Sequence, residues 1–456
     1  MPLSVVVLAA GQGKRMRSAL PKVLQPLAGR PLLGHVLDLA RELGAAGIYV
    51  VYGHGGDAVK ARFADADLTW AEQAEQLGTG HAVKQALPAV PADHDVLVLC
   101  GDVPLTRAQT LKGLLAAAAQ TELAVLTATV DKPHGYGRIV RNEAGSVQRI
   151  VEHKDASEAE LRICEINTGI VVGKAGKLSG WLDRLRNDNA QGEYYLTDIV
   201  ALAAADGVAV AGHVLEDIDE AMGINDRPQL AEAERKLQRR IAEHLMRDGA
   251  ALADPARIDV RGHLGVGADV FIDVNAVFEG EVQLAAGCRI GPNCVIRDSR
   301  LGPGTQVFAN SVIEEARTGA NCSIGPFARV RPGSQFADNV KIGNFVETKK
   351  AVIAAGSKVN HLSYVGDSEI GSNVNIGAGT ITCNYDGANK YLTKIGNDVF
   401  VGSGVNLVAP VEIGDGATIG AGSTVNRNAP AGELTIARTR QTSIAGWQRP
   451  KKKPSK

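Results

Sequence analysis

The chain has 456 residues, of which 22% are charged and 45% are hydrophobic, and its formal net charge is −1 at pH 7. Because this length exceeds what a single hydrophobic core usually organises, we expect two or more domains. A net charge near zero argues against nucleic acid or an anionic membrane as a bulk partner, and the sequence has no apolar run long enough to span a bilayer.

Cysteine usage and the first residues predict a cytoplasmic protein. The six cysteines form no CxxC pair and have no histidine-rich neighbours, so we expect free, buried thiols in a reducing compartment. The apolar residues 3–10 lack a preceding basic region and lead into a Gly-rich loop, which is typical of a strand rather than a signal peptide.

Residues 1–224 alternate short aliphatic segments with amphipathic ones, which predicts an α/β domain with a mostly parallel sheet. The candidate strands are residues 4–9, 47–51, 95–99, 123–130 and 166–172, and the clearest helices are residues 32–43 and 108–119. In such a domain ligands bind beyond the carboxyl ends of the strands.

The loop that follows the first predicted strand is rich in small residues, and a Leu-Pro-Lys sequence ending at Lys22 comes shortly after it. Small residues let backbone N–H groups approach phosphates closely, while Arg15 and Lys22 add fixed positive charge. The pattern is neither a GxGxxG dinucleotide fingerprint nor a P-loop. We therefore predict a triphosphate-binding loop of another kind.

Asp102 comes directly after the predicted strand 95–99, behind Cys100 and Gly101. A carboxylate at the carboxyl end of a strand is well placed to hold Mg²⁺ against the phosphates of a nucleotide. The alternative is a turn or helix-capping carboxylate, because Asp favours both positions.

Residues 225–249 predict a helix that separates two folding units. Asp226 can cap its start, and apolar residues then recur at intervals of three and four until Gly249. We therefore expect a first domain at residues 1–224, a second at 250–430, and a C-terminal tail at 431–456 with a disordered basic end.

An aliphatic residue recurs nearly every six positions between residues 264 and 425, for example at Ile395, Val401, Leu407 and Ile413. This is the period of a parallel β-helix, in which three hexads make one triangular coil. The region predicts roughly nine coils spaced by about 4.8 Å. The alternative to an enzyme is a solenoid that serves only stacking or oligomerisation.

Polar residues cluster where the hexads break. Glu347 and His361 are separated by nearly one coil, so we expect them to stack close together. A histidine beside a carboxylate can act as a general base while the carboxylate fixes its tautomer. The alternative is a surface histidine in a loop.

A segment at residues 382–394 interrupts the hexads and contains Asn384 and Tyr385. We expect this loop to project from the solenoid and to lie over the groove of a neighbouring subunit. The alternative is an ordinary surface insertion.

Residues 8–16, 73–82, 135–139, 151–155, 165–169 and 192–198 together resemble the sugar-1-phosphate nucleotidyltransferases, and specifically the uridylyltransferase half of the bacterial bifunctional GlmU family. By this resemblance Asp102 and Asn225 would bind Mg²⁺, and Arg15 and Lys22 would act on the phosphates of UTP. Lys14 departs from the family, in which Thr is usual. The implied nucleotide and sugar contacts are Leu8, Ala9, Ala10, Gly11, Lys22, Gln73, Gly78, Thr79, Cys100, Gly101, Asp102, Gly137, Glu152, Asn167 and Asn225.

The solenoid resembles the acetyltransferase half of the same family. The resemblance implies that His361 is the general base and that Glu347 orients it. Thr348 departs from the family, in which a larger apolar residue is common. The implied glucosamine-1-phosphate contacts are Arg331, Lys349, Tyr364 and Asn375, and the implied acetyl-CoA contacts are Ala378, Asn384, Tyr385, Ser403, Ala421 and Arg438.

The resemblance covers nearly the whole chain. It implies a Rossmann-like α/β nucleotidyltransferase domain joined by a long helix to a left-handed parallel β-helix, assembled as a homotrimer. It also implies that glucosamine-1-phosphate is acetylated from acetyl-CoA and that the product is uridylylated from UTP, for the bacterial cell envelope. The alternatives are a monofunctional nucleotidyltransferase with a structural β-helix, and a non-enzymatic scaffold or sugar-nucleotide sensor.

Overall fold

The computed structural model describes residues 2–11, 13–53, 55–64 and 67–452. The chain divides into two compact units, Met1–Arg239 and Arg240–Lys456. Each unit has hydrophobic clusters of its own, which accords with a chain too long for one core.

The described part of the first unit is built on a nine-stranded sheet. Its main path runs through Val210–Val214, Leu123–Thr129, Glu165–Lys174, Asp95–Cys100, Leu3–Leu8, Gly47–Tyr52 and Leu68–Glu72. Neighbouring strands are parallel except at Glu165–Lys174, which is antiparallel to both of its neighbours. Arg138–Arg141 and Val147–Val151 pair with each other, and the former also joins Glu165–Lys174.

Helices cover both faces of this sheet. Val5 and Val7 pack into one buried cluster and Val6 into another, so the first strand is apolar on both sides. The helices of the unit are Leu32–Glu42, Gly56–Arg62, Thr79–Ala86, Ala108–Thr121, Ala175–Leu182 and Asp198–Ala205. Short 3-10 turns lie at Lys14–Met16, Lys22–Leu24, Leu87–Ala89, Glu160–Arg162 and Ile218–Ala221, and Pro26–Leu27 pairs with Arg30–Pro31.

The five strands predicted in this unit are all present, and no end is displaced by more than two residues. The prediction omitted Leu68–Glu72, Arg138–Arg141, Val147–Val151 and Val210–Val214. Leu68–Glu72 and Val210–Val214 are the two ends of the main sheet path, and each is buried at only one residue. Edge strands of this kind lack the continuous apolar run that marks a central strand.

A helix at Arg227–Arg247 follows, and the division between the two units falls inside it. The Asp226 carboxylate accepts a hydrogen bond of 2.9 Å from the backbone N–H of Gln229, so the predicted helix cap is confirmed.

The second unit is a stack of parallel strands in which most register partners lie 17 or 18 positions apart, which is close to three hexads. The separation is 25 positions where the inserted segment intervenes. One wall is an eleven-stranded sheet, counted over the described residues. Its strands are Ala251–Leu252, Phe271–Ile272, Arg289–Ile290, Gln306–Val307, Ser323–Ile324, Lys341–Asn344, Lys358–His361, Asn375–Ile376, Phe400–Val401, Thr418–Ile419 and Leu434–Thr435.

A second, fifteen-stranded sheet completes the described coils. Its longer series is Ile258–Val266, Ala276–Leu284, Val295–Arg297, Val312–Glu314, Arg329–Val330, Glu347–Ile353, Tyr364–Ile370, Ile381–Cys383, Asn406–Val408 and Thr424–Val425. The shorter series is Arg300–Leu301, Arg317–Thr318, Gln335–Phe336, Thr393–Ile395 and Val411–Ile413.

The solenoid is longer than the hexad run predicted. Eleven strands stack on one wall where roughly nine coils were expected, because Ala251–Leu252 precedes the clear hexads and Leu434–Thr435 follows them. The last strand also lies beyond residue 430, inside the region predicted as tail. Of the basic end, Lys451 and Lys452 are described without regular structure, and residues 453–456 lie outside the described part.

All six cysteines are free, as predicted, but they are not uniformly buried. Cys288, Cys294 and Cys322 are buried inside the solenoid, whereas Cys164 is exposed and Cys100 and Cys383 are partly exposed. In the described part of the chain, every helix is too short or too polar to cross a lipid bilayer.

Candidate active sites in the two units

A pocket of about 310 Å³ lies at the carboxyl ends of two adjacent parallel strands, Leu3–Leu8 and Asp95–Cys100. It brings together most of the predicted nucleotide contacts: Leu8, Ala9, Ala10, Gly11, Lys22, Gln73, Gly78, Thr79, Cys100 and Asp102. Gly101 lies between Cys100 and Asp102 of this pocket, and its backbone N–H donates to the Leu8 carbonyl at 2.9 Å. A β-carbon on Gly101 would come within 3.1 Å of that carbonyl oxygen, so glycine allows the close approach.

A second pocket of about 250 Å³ adjoins the first and shares Leu8, Thr79 and Cys100 with it. Its wall includes the three predicted sugar contacts, Gly137, Glu152 and Asn167. The two pockets therefore adjoin each other and share part of their walls.

Two carboxyl groups near the second pocket have raised pKa values, so they lose their protons less readily than usual. Burial raises the pKa of Glu152, although the Thr197 hydroxyl donates a hydrogen bond of 3.0 Å to its carboxylate. Burial and the neighbouring Glu152 raise the pKa of Asp198 to about 6. Desolvation by the surrounding protein and the nearby Asp102 carboxylate raise the pKa of the Cys100 thiol to about 12, so this thiol is not a nucleophile near neutral pH.

Lys22 joins the two residues that were predicted to bind a metal. Its ammonium contacts the Asp102 carboxylate and also donates to the Asn225 amide oxygen at 3.2 Å. The Lys22 side chain is only 12% exposed. Two oxygens from distant parts of the chain thus converge on one cation, which indicates an oxygen site with affinity for positive charge.

Two further cationic side chains, Lys14 and Arg15, lie close to Lys22 and Asn225. Lys14 and Arg15 line an adjoining pocket of about 390 Å³ together with Gly13, Lys22 and Asn225. The substitution of Lys for the family's Thr therefore adds a cation to this surface. The neighbouring loop residue Gln12 lies outside the described residues.

Two residues in or beside these pockets were not among the predicted contacts. The Gln76 amide donates to the Ala10 carbonyl at 2.5 Å, which connects the Gly-rich loop to the loop that follows the strand Leu68–Glu72. His81 lies beside the first pocket, and its Nδ1 is 3.1 Å from the amide nitrogen of Gln73, which lines that pocket. Both lie within the quoted motif at residues 73–82, but a polar side chain that binds another protein group gives no separate sequence signal.

In the second unit His361 is paired differently from the prediction. The parallel register aligns His361 with Asn344, and the imidazole Nδ1 lies 2.8 Å from the Asn344 amide oxygen. Glu347 is instead aligned with Tyr364 on the next coil, and its carboxylate accepts a hydrogen bond of 2.7 Å from Arg331. The expectation that Glu347 and His361 stack on each other was wrong, because the two residues lie on different walls of the solenoid.

The predicted sugar-phosphate contacts bring several cations together. Glu347 raises the pKa of the Arg331 guanidinium by hydrogen bonding to it. The Lys349 ammonium lies 3.6 Å from the Asp367 carboxylate. The proximity of Lys349 lowers the pKa of Lys390. Lys390 and Asp367 were not predicted as site residues.

Four of the six predicted acetyl-CoA contacts follow one edge of the solenoid, whereas Asn384 and Tyr385 lie in the inserted segment. Backbone hydrogen bonds connect the Ala378 carbonyl to Gly404 and the Ser403 carbonyl to Gly422, so Ala378, Ser403 and Ala421 lie on successive coils. Arg438 continues the line, because its guanidinium donates to the Ala421 carbonyl at 2.7 Å. Asn375 lies on the wall next to this edge, paired with Lys358 and Phe400.

Thr348 is fully buried between the coils that carry these residues. Its hydroxyl lies 3.1 Å from the Ser334 hydroxyl, and Ser334 donates to the Arg331 carbonyl at 2.8 Å. A polar pair therefore replaces the larger apolar side chain common in the family, and both hydroxyls are satisfied.

Family models match both units. The MobA-like NTP transferase domain matches residues 5–168, and the bacterial transferase hexapeptide repeat matches residues 265–298 and 392–427. A structure of UDP-glucose pyrophosphorylase complexed with UDP-glucose covers 53% of this chain and 100% of its own, with a TM-score of 0.46 and 15% identity. That likeness is too weak to support an inference.

Curated proteins named bifunctional protein GlmU match along almost the entire chain. The protein from Azoarcus sp. is 60% identical over 99% of this chain and 100% of its own length. The proteins from Marinobacter nauticus and Alkalilimnicola ehrlichii are 60% and 58% identical, over 99% and 98% of their own lengths.

The folds and the two sites define a two-unit transferase, with an α/β nucleotidyltransferase and a left-handed hexapeptide β-helix. The chain belongs to the bifunctional GlmU family. It is a bifunctional enzyme with uridylyltransferase and acetyltransferase activities. The alternatives of an inert solenoid and of a non-enzymatic scaffold are set aside, since the similarity extends through both units.

Proposed function

We propose that the first unit transfers the uridylyl group of UTP to N-acetylglucosamine-1-phosphate and releases pyrophosphate. The observation that carries this proposal is the pair of adjoining pockets that share Leu8, Thr79 and Cys100. An oxygen of the sugar phosphate attacks the α-phosphorus of UTP in line while pyrophosphate leaves. Such a reaction requires the two substrates to lie end to end, and holding them so is the main contribution of the protein.

In this proposal the phosphates of UTP bind along the Gly-rich loop, and Arg15 and Lys22 neutralise their negative charge. The residues present fit Mg²⁺, because the oxygens of Asp102 and Asn225 both contact one cationic group, the Lys22 ammonium. Magnesium commonly takes one or two protein oxygens and completes its shell with phosphates and water. When bound, Mg²⁺ would supply further neutralisation of the phosphate charge.

The second unit, in this proposal, acetylates glucosamine-1-phosphate. With Nδ1 of His361 donating to the Asn344 amide oxygen, Nε2 keeps its lone pair and can accept a proton. The sugar amine attacks the acetyl thioester, an N–C bond forms as the C–S bond breaks, and His361 takes the amine proton. Arg331 and Lys349 bind the sugar phosphate, and the edge from Ala378 to Arg438 binds acetyl-CoA, with Asn384 and Tyr385 contributing from the inserted segment.

We further propose a cytoplasmic homotrimer in which acetylation precedes uridylylation. The six free cysteines support a reducing compartment. The trimer is supported by the exposure of large apolar side chains on the second unit, since Phe327, Phe345 and Leu362 are 50%, 56% and 62% exposed. Small molecules, and neither nucleic acid nor membrane, are the proposed partners.

The order of the steps can be tested with the wild-type chain. Acetyl-CoA and glucosamine-1-phosphate are incubated first, and released CoA thiol is measured; UTP and Mg²⁺ are then added, and pyrophosphate is measured. The proposal predicts thiol in the first step and pyrophosphate in the second, with little pyrophosphate when acetyl-CoA is omitted. Rapid pyrophosphate formation from glucosamine-1-phosphate itself would contradict the proposed order.

A further inference from the structure

The segment that interrupts the solenoid is an ordered hairpin. Tyr385 and Lys390 form an antiparallel bridge, and the Asp386 carboxylate accepts hydrogen bonds of 2.8 and 2.6 Å from the backbone N–H groups of Ala388 and Asn389. At the root, the N–H of Tyr391 donates to the Asn384 carbonyl at 2.9 Å. The tip is thus organised by its own contacts, and its placement depends on what holds Asn384.

The Asn384 side chain is held by a carboxylate on the preceding coil. Its amide donates to Oδ2 of Asp367, and the same oxygen lies 3.6 Å from the Lys349 ammonium. Asn384 is 7% exposed, and the side chains of Asp367 and Lys349 are 16% and 15% exposed. A hydrogen bond to an ionised acceptor is stronger than a neutral one, and low exposure limits competition by water.

The corner that carries Asp367 does not itself require an acid. Asp367 has φ +43, and the equivalent positions on the two preceding coils are Lys350 with φ +45 and Gly333 with φ +83. Glycine and lysine therefore serve the same turn. The role of the Asp367 carboxylate lies in its contacts with Asn384 and Lys349 rather than in the turn.

We propose that Asp367 is a positioning residue that links the acetyl-CoA hairpin to the sugar-phosphate site. The inference rests on the proposed acetyltransferase function, in which Asn384 and Tyr385 contact acetyl-CoA and Lys349 binds the phosphate. A single carboxylate oxygen fixes both the hairpin root and the lysine. Asp367 touches neither reacting group, so its effect is on the placement of the residues that do.

Two substitutions separate the two contacts. Asp367→Gly removes both contacts without backbone strain, because glycine adopts positive φ freely. Asp367→Asn loses the ion pair with Lys349 but keeps an oxygen that can accept from Asn384. We expect Asp367→Gly to raise the KM for acetyl-CoA about tenfold, and Asp367→Asn to raise it less than about threefold, since a neutral hydrogen bond replaces a charged one. The KM for glucosamine-1-phosphate should rise in both.

The matched control is Glu315→Gly, at the same corner three coils earlier, where φ is +44. It should leave both KM values unchanged, and all three variants should release pyrophosphate from UTP and N-acetylglucosamine-1-phosphate at the wild-type rate. If the wild type is active, two results would overturn the positioning role alone. One is an unchanged KM for acetyl-CoA in Asp367→Gly, and the other is an equal increase of this KM in Asp367→Gly and Asp367→Asn. A wild type that releases no CoA thiol would overturn the proposed acetyltransferase function and the positioning role with it.

Discussion

At the scale of single residues, the partner of a proposed base determines which nitrogen is available for catalysis. His361 is held by the neutral amide of Asn344, whereas Glu347 is engaged with Arg331. The amide oxygen leaves Nε2 free without placing a negative charge beside the imidazole. Glu347 instead holds the guanidinium of Arg331, which is the proposed contact of the sugar phosphate.

The two roles predict different kinetic effects. Asn344→Ala should lower kcat for acetyl transfer by about tenfold or more, with both KM values near wild type, because the base loses its orientation. Glu347→Gln should act through Arg331 and raise the KM for glucosamine-1-phosphate, with a smaller effect on kcat. Steady-state kinetics with each substrate varied in turn distinguishes them. If Glu347→Gln lowered kcat and Asn344→Ala did not, Glu347 would be the orienting residue after all.

Single residues also show where sequence reasoning was limited. Most predicted nucleotide contacts meet in one pocket, because they belong to contiguous motifs at strand ends. The partners Asn344, Asp367 and Lys390 were not predicted, since their contacts depend on the register between coils and on a hairpin's placement. Glu347 and His361 are separated along the sequence by nearly one coil, but this spacing does not determine on which wall each residue lies.

At the scale of elements, the coils approach so closely that some positions admit only glycine. A β-carbon on Gly343 would lie 1.9 Å from the carbonyl oxygen of Asn360 on the next coil. Because Asn360 immediately precedes His361 and Gly343 precedes Asn344, this close approach lies next to the proposed base and its partner.

Gly343→Ala should therefore push these two coils apart. We expect it to destabilise the second unit by about 3 kcal/mol and to lose most acetyl transfer, with pyrophosphate release retained. The control is Gly287→Asn, where φ is +72 and an added β-carbon would meet nothing closer than 3.8 Å. Asn321 and Asn339 occupy the same kind of corner with φ +54 and +61, so this control should remain stable. Chemical denaturation of both variants measures the difference, and equal stability would contradict the account.

Elements were predicted with unequal success, for physical reasons. Central strands such as Leu3–Leu8 and the hexad coils bury a regular apolar pattern, so their period is visible in the sequence. The terminal coil at Leu434–Thr435 has no buried residue and the edge strand Val210–Val214 has only one, so both lack that pattern. Their pairing is decided by the neighbouring strands, which a local sequence pattern does not report.

At the scale of the whole molecule, the chain carries two units with separate cores and separate candidate sites. The order of the two halves, the joining helix and the hexad repeat could be predicted from sequence, because each has its own period and composition. If the sites act independently, damage to one should leave the chemistry of the other intact in the same chain.

The most direct measurement assays both reactions on the wild type, His361→Ala and Asp102→Asn, each with its own substrates supplied. Thiol release uses acetyl-CoA with glucosamine-1-phosphate, and pyrophosphate release uses UTP, Mg²⁺ and N-acetylglucosamine-1-phosphate. We predict that His361→Ala loses thiol release by about 100-fold or more and keeps pyrophosphate release, and that Asp102→Asn shows the reverse. If one substitution abolished both activities, or if neither substitution abolished either activity, the result would contradict two independent active sites built on these residues.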